Sequence, residues 1–195
     1  YWSVFESLKY DSFDNKYFPK KGWSFSTNIN TYISSSNFEN QFEPFSIAKS
    51  EFSIVKTFLN KATIQFQADA GLKFGKGSEP LLDFALGGFG FNPINNIRSF
   101  YGYDFLSITG NSFIRTALTI DYEFYKKNHI NLTYNASIVG DFIFKATKTW
   151  FNKPTYTGFG LGYGLETLIG PIELKYTWSP ESHFSAFWVN LGFVF

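Results

Sequence analysis

Hydrolysis by a serine enzyme needs a nucleophile held on a sharp Gly-x-Ser-x-Gly turn and an acid or base partner. This chain has no such turn; its nearest approach, Gly110-Asn111-Ser112, lacks the second glycine and falls at a loop end. A serine–histidine pair on a strand is the other route. The two histidines, His129 and His183, read instead as residues of connections, where a solvated turn position is the simplest account. Five carboxylates, Asp69, Asp121, Glu123, Glu166 and Glu173, share the polar parity of strand-like segments. Such a set suits acid–base catalysis or a hard cation. It suits equally the charged wall of a polar interior, balanced here by Lys61, Lys73 and Lys175, and that structural use is the preferred reading. No phosphate-binding loop, zinc spacing or nucleic-acid module is present. The residues predict no catalytic site, no metal and no cofactor.

The elements that position these groups are strands. In 61–75, Ala62, Ile64, Phe66, Ala68, Ala70, Leu72 and Phe74 alternate with Lys61, Thr63, Gln65, Gln67, Asp69, Gly71 and Lys73. A two-residue period makes a strand with one apolar and one polar face. The same alternation runs through 116–126, 130–142, 171–179 and 23–35, and more noisily through 2–11 and 45–59. In 155–169, Gly158, Gly160, Gly162 and Gly164 share one face and Phe159, Leu161, Tyr163, Leu165 and Ile169 the other. A glycine row on an inner wall leaves room for something to lie against it; a bend or crowded packing in a small barrel is the alternative. In Phe184–Phe195, Phe187, Val189, Leu191, Phe193 and Phe195 fall on one parity. An apolar face ending in the aromatics Phe193 and Phe195 is what the last strand of an outer-membrane barrel looks like.

Nine strands are therefore predicted, forming an all-β, transmembrane antiparallel barrel wall. Tight connections at 59–61, 126–129 and 170–171 alternate with longer ones at 36–44, 76–114 and 143–154, as outer-membrane barrels arrange them. The 12–22 turn is long for its side. An odd antiparallel set puts its first and last strands parallel, whereas bacterial single-chain barrels usually have even counts. An open edge in lipid leaves backbone groups unpaired. Either a strand is miscounted or the barrel is larger, and the second is preferred. The 195 residues are accordingly expected to be part of a larger barrel, with 76–114 a loop directed into the lumen. The chain contains no methionine, so Tyr1 is expected to begin a processed or partial sequence.

Composition agrees with this picture. Aromatics reach 22%, with 26 Phe, 12 Tyr and 5 Trp, which favours strands. Hydrophobic residues are 44%, yet mean hydropathy is −0.13, because apolar and polar positions are interleaved. No apolar run approaches the roughly 20 residues of a membrane helix. Seventeen basic against 16 acidic residues give no field to attract nucleic acid. The absence of cysteine excludes a disulfide framework and thiolate chemistry.

Three motifs in order resemble one superfamily, the outer-membrane barrels of barrel-assembly insertases, two-partner secretion translocators and patatin-like phospholipases. Asp14-Asn15-Lys16-Tyr17-Phe18-Pro19-Lys20-Lys21-Gly22 is similar to its D-N-x-x-F-P-x-x-G turn. Ile97-Arg98-Ser99-Phe100-Tyr101-Gly102-Tyr103 is similar to its Arg-Gly-Phe/Tyr loop tip. Gly160-x-Gly162-x-Gly164, then Gly170-Pro171-Ile172 and the aromatic terminus, resembles its closing strands. The resemblance spans the chain and implies the second half of a sixteen-stranded barrel in a bacterial outer membrane. It implies as partners outer-membrane lipid, the barrel-assembly machinery during biogenesis and the N-terminal half of the same barrel. Phe100–Phe105 and Asp121–Ile130 look most like the barrels of patatin-like phospholipases of Bacteroidetes-type bacteria, which implies an anchor for a lipid acyl hydrolase domain lying elsewhere. An insertase or translocator barrel is the alternative. In the family the loop arginine pairs with acidic residues on the wall. Aligned on Gly102, Tyr101 stands at that position, Arg98 lies three residues earlier, Glu123 matches the acidic position and Asn135 stands in the following strand. The expected loop lock is Arg98, Tyr101, Gly102, Tyr103, Glu123 and Asn135, held by Tyr/Asn hydrogen bonding or by Arg98 reaching Glu123.

Overall fold

The computed structural model describes residues 1–36, 42–77, 80–89, 96–141, 143–145, 154–168 and 170–192. Among these residues twelve strands form two sheets. The large one is a nine-stranded meander in which every neighbouring pair is antiparallel: β1 (Trp2–Asp11), β2 (Lys21–Ser34), β3 (Phe45–Phe58), β4 (Ala62–Gly75), β8 (Ser112–Tyr125), β9 (Asn128–Gly140), β10 (Tyr156–Thr167), β11 (Gly170–Trp178) and β12 (Ser185–Leu191). The predicted strands and their order are those observed. Five of these strands hold 13 or 14 residues, more than the roughly 9–11 with which a tilted strand crosses a bilayer. Among the described residues no helix is long and apolar enough to cross a membrane.

The predicted parities hold in the register. Ile64, Phe66, Phe74, Leu118, Ile120, Tyr122, Phe124, Ile130, Leu132, Leu161, Leu174, Phe187, Val189 and Leu191 are exposed on the outer face. Their cross-strand partners lie on the same face, as Ile64 with Ile120 and Leu118 with Tyr134. The inner face buries polar groups: Ser53, Thr63, Asp69, Arg115, Asn131, Thr133, Asn135, Ser137, Lys175 and Thr177. A sheet that exposes its apolar face and buries its polar one is inverted relative to a water-soluble protein, and lipid is the solvent that suits it.

The connections divide by side. At one end 59–61 and 126–127 are tight, with Leu59, Asn60 and Lys127 at positive φ. At the other, the described residues between 76 and 111 fold back over the inner face. They carry a small sheet in which β5 (Phe84–Leu86) pairs in parallel with β6 (Ile97–Arg98) and antiparallel with β7 (Ile108–Gly110). Phe84, Leu86, Phe100 and Ile108 pack there against Phe45, Ile47, Phe113 and Val139 from the ends of β3, β8 and β9. The wall has to be smooth for this: a Cβ on Gly71 would sit 2.5 Å from the Phe113 ring and 2.6 Å from that of Phe84. Burying the four aliphatic and aromatic loop side chains contributes about 1.5–3 kcal/mol each, enough to hold the loop in register. The loop ends at Asn111, earlier than the predicted 114, because Phe113 already takes the buried inner parity of β8.

Candidate functional site

The inner wall is occupied from both ends. From the long-connection side comes the loop tip at Tyr101. Its backbone N–H donates to Asn135 Oδ1 at 2.8 Å, and its carbonyl lies directly over Gly158, so close that any Cβ there would overlap it. Its ring faces Gly160, where a Cβ would meet it at 3.3 Å. The Lys175 ammonium stands 4.8 Å from that ring centre and 4.7 Å from that of Phe89. The next two residues turn toward β11 and β12. Gly102, at φ +81°, abuts the Trp178 carbonyl, and its own carbonyl accepts from Ser182 Oγ at 2.8 Å. Tyr103 is buried, with its hydroxyl 3.3 Å from both Glu181 and Ser179.

From the short-turn side comes the 12–20 turn. Asp14 Oδ1 accepts the Lys20 and Lys21 N–H groups at 2.8 and 3.2 Å, and Asn15 Oδ1 accepts those of Tyr17 and Phe18 at 2.9 and 3.3 Å. Asx side chains that bond the backbone ahead of them make such turns without a helix or ladder. Gly22, at φ +114°, passes against the Ser12 carbonyl where a side chain would collide. Pro19 and Phe18 are thereby carried over the wall. Phe18 stacks on His129, with ring centres 4.1 Å apart, and lies against Gly164. Lys20 Nζ meets Glu123 at 2.6 Å, and Thr57 Oγ1 donates to the Lys20 carbonyl at 2.7 Å. The Glu123 partner raises the Lys20 ammonium above its ordinary value, outweighing a smaller loss to burial. At Asp14 slight burial pushes up, but the N–H groups of Lys20 and Lys21 outweigh it and hold the carboxyl below the usual range.

That depression has a testable sign. A carboxylate whose folded value lies below its unfolded one stabilises the fold above the unfolded value and loses that contribution as pH falls through the folded one. Cleavage after Lys16 and Lys20 by a protease active in acid is expected to rise as pH drops below the carboxylate range. In Asp14→Asn it is expected to be raised throughout and flatter with pH. Equal pH profiles for the two proteins would show that Asp14 does not hold the turn.

The structure redistributes part of the predicted lock. Tyr101 and Asn135 are together, and Gly158 and Gly160 sit beneath the tip. Arg98 does not reach Glu123; it is buried and pairs with Glu51 on β3, while Glu123 is taken by Lys20. The reason is distance along the wall: β6 crosses near β3, whereas Glu123 ends β8 at the opposite rim. His129 is not a solvated turn residue. It is 1% exposed and belongs to β9, with Nδ1 2.7 Å from Asp121 and Nε2 3.1 Å from Glu166. His183 is in an exposed turn at φ +54°. The wall carboxylates are not balanced by the predicted lysines. Asp69 pairs with Arg115, Lys73 is drawn to Asp83 of the loop at 3.0 Å, Lys61 is exposed in a turn, and Lys175 lies over aromatic rings. Ser112 is buried and donates to the Gly140 carbonyl at 2.9 Å. Phe193 and Phe195 lie outside the described residues, as does Ile169.

A long meander that is apolar outside, polar inside and occupied by its own connections defines the wall of a membrane β-barrel. A family model described as the OMP85 superfamily matches residues 1–195; the chain belongs to that superfamily. Its fold is similar to that in the crystal structure of BamA from Haemophilus ducreyi lacking POTRA domains 1–3, with a TM-score of 0.68 and 16% identity, covering 91% of this chain and 38% of that one. This chain thus spans well under half of that protein, and at such identity the likeness is one of fold. No curated protein matches.

Proposed function

We propose that this chain is part of the transmembrane barrel of an outer-membrane insertase or translocator in a Gram-negative bacterium, acting on other polypeptides. The carrying observation is the match of the superfamily model along the whole chain, on a sheet whose inner wall is partly covered by described residues of the 76–111 connection and by the 12–20 turn. The sheet is open: among the described residues β1 and β12 each pair on one side only. Unpaired ladder groups are costly in lipid, so further strands of the same barrel, completing about sixteen, are proposed to take these edges. Lipid meets the outer face, and the barrel-assembly machinery inserts the chain during biogenesis.

A barrel anchoring a patatin-like lipid acyl hydrolase is the second reading, supported by the resemblance of Phe100–Phe105 and Asp121–Ile130. One reconstitution separates the two. Full-length protein in phospholipid vesicles is expected to speed the folding of an unfolded outer-membrane barrel substrate several-fold over empty vesicles. Release of fatty acid from the vesicles without any such acceleration would replace the insertase reading with the anchor.

A further inference from the structure

His129 has both ring nitrogens on carboxylates and one ring face on the 12–20 turn. We propose that it is a pH-responsive latch that keeps this turn seated across the short-turn mouth of the barrel. The device stands on the geometry of this wall and holds whichever reading of the parent protein is right.

An ionised carboxylate only accepts hydrogen bonds, and an imidazole donates from both nitrogens only when protonated. The contacts to Asp121 at 2.7 Å and Glu166 at 3.1 Å are therefore satisfied together in the cationic ring alone. A neutral ring turns a lone pair toward one carboxylate. The charged surroundings reinforce this preference from each packed element. β8 contributes Asp121 and, directly opposite His129 in the register, Glu123. β10 contributes Glu166. Across Gly164, β11 contributes Glu173, which accepts from Asn190 at 3.1 Å. The turn contributes Lys20, on Glu123, with Asp14 behind it. With His129 charged, it and Lys20 face Asp121, Glu123 and Glu166, and β11 adds Lys175 across Gly162 on the cavity that Asp121 lines; with His129 neutral, one of these cations is lost.

The ring is also the seat of the turn. Phe18 lies on it at 15° between planes, in space left by Gly164, where a Cβ would come within 2.7 Å of the Phe18 ring. Loss of the proton frees the ring from one carboxylate, and Phe18 loses the platform that Asp121 and Glu166 held flat. The turn is thus seated while the carboxylates are ionised and the imidazole is protonated. It is released as pH rises through the imidazole titration.

The test uses the full-length protein in vesicles with a nitroxide on Lys16→Cys, an exposed turn position, in a background without other cysteines. Between about pH 5 and about pH 8, the range over which histidines titrate, the label is expected to pass from an immobilised to a mobile spectrum in one transition. In His129→Gln it is expected to be mobile throughout. In Glu166→Gln, which keeps the ring and removes one charge partner, the midpoint is expected to fall by about one pH unit or more. A wild-type spectrum that does not change, a transition that survives in His129→Gln, or a midpoint unmoved in Glu166→Gln would each overturn the latch. Glu166→Gln carries the test if His129→Gln does not fold. None of these readouts depends on insertion or hydrolysis by the parent protein.

Discussion

Replacing Gly158 with alanine is expected to unseat the 76–111 loop from the wall, whereas the same change at Gly160 leaves it in place. The two glycines are neighbours on one face of β10 and both lie under Tyr101, yet they meet different parts of it. A Cβ at Gly158 lands on the Tyr101 carbonyl oxygen and 2.9 Å from Asn135 Nδ2. That carbonyl belongs to a tip fixed on both sides, by Asn135 on its own N–H and by Gly102 against Trp178, so it has no easy way to shift. At Gly160 the first atoms met are the Tyr101 ring at 3.3 Å and the Lys175 chain at 3.4 Å, both able to yield by a few tenths of an ångström. Overpacking of a rigid site costs about 1–3 kcal/mol, and leaving the fully buried Asn135 without its Tyr101 bond adds about 1–3. Gly158→Ala is expected to lower the unfolding midpoint of the reconstituted barrel clearly and to open the loop to protease, with Gly160→Ala near wild type in both. Equal behaviour of the two variants would mean that the tip does not rest on Gly158.

The contrast shows what is readable in a one-dimensional pattern. Strand parity follows from a period of two, so the nine strands, their outer faces and the inward glycine row could be read directly from the residues. What a period cannot supply is the partner of a group on an aperiodic segment. Arg98 sits on such a segment, and only the packing of Phe84, Leu86, Phe100 and Ile108 decides that it arrives at Glu51 and not at Glu123. His129 is a different case. Lys126-Lys127-Asn128 reads as turn chemistry, which drew His129 into the connection with it. Counting back by two from Asn135, Thr133 and Asn131 would have placed it on the inner face. The bulge between Glu123 and Tyr125, which sets it opposite Glu123, has no comparable signal in the sequence. Its partner Glu166 comes from a strand 37 residues away. The D-N-x-x-F-P-x-x-G turn was legible as a turn; that its Phe18 and Lys20 fold over the wall was not, because their partners lie more than 100 positions further along the chain.

Removing one partner of the Arg115–Asp69 pair is expected to destabilise the wall more than breaking any other ion pair described in it. The two residues face each other in the β4–β8 register and are 6% and 9% exposed, unlike Lys20 and Glu123 at the rim, where the lysine side chain is 43% exposed. Exposed pairs contribute about 0–1 kcal/mol. A buried one is stabilising mainly in the sense that neither charge tolerates the loss of the other, and deletion of one member costs about 3–5 kcal/mol. Arg115→Met strands the Asp69 carboxylate beside its β3 neighbour Glu51, which already holds Arg98. Asp69→Leu likewise strands a guanidinium whose Nε already has no acceptor. The double variant Asp69→Leu/Arg115→Met removes both charges, and a buried pair replaced by apolar residues is often neutral or better. The expected order in a denaturant titration of the vesicle-embedded barrel is therefore wild type and double variant together at the top, with each single variant well below. If the two single losses simply add in the double variant, the groups are hydrated independently and the wall at this level is open to water; if the double recovers, the pair is a closed, dry cross-link between β4 and β8, and the loop above it seals the wall from that side.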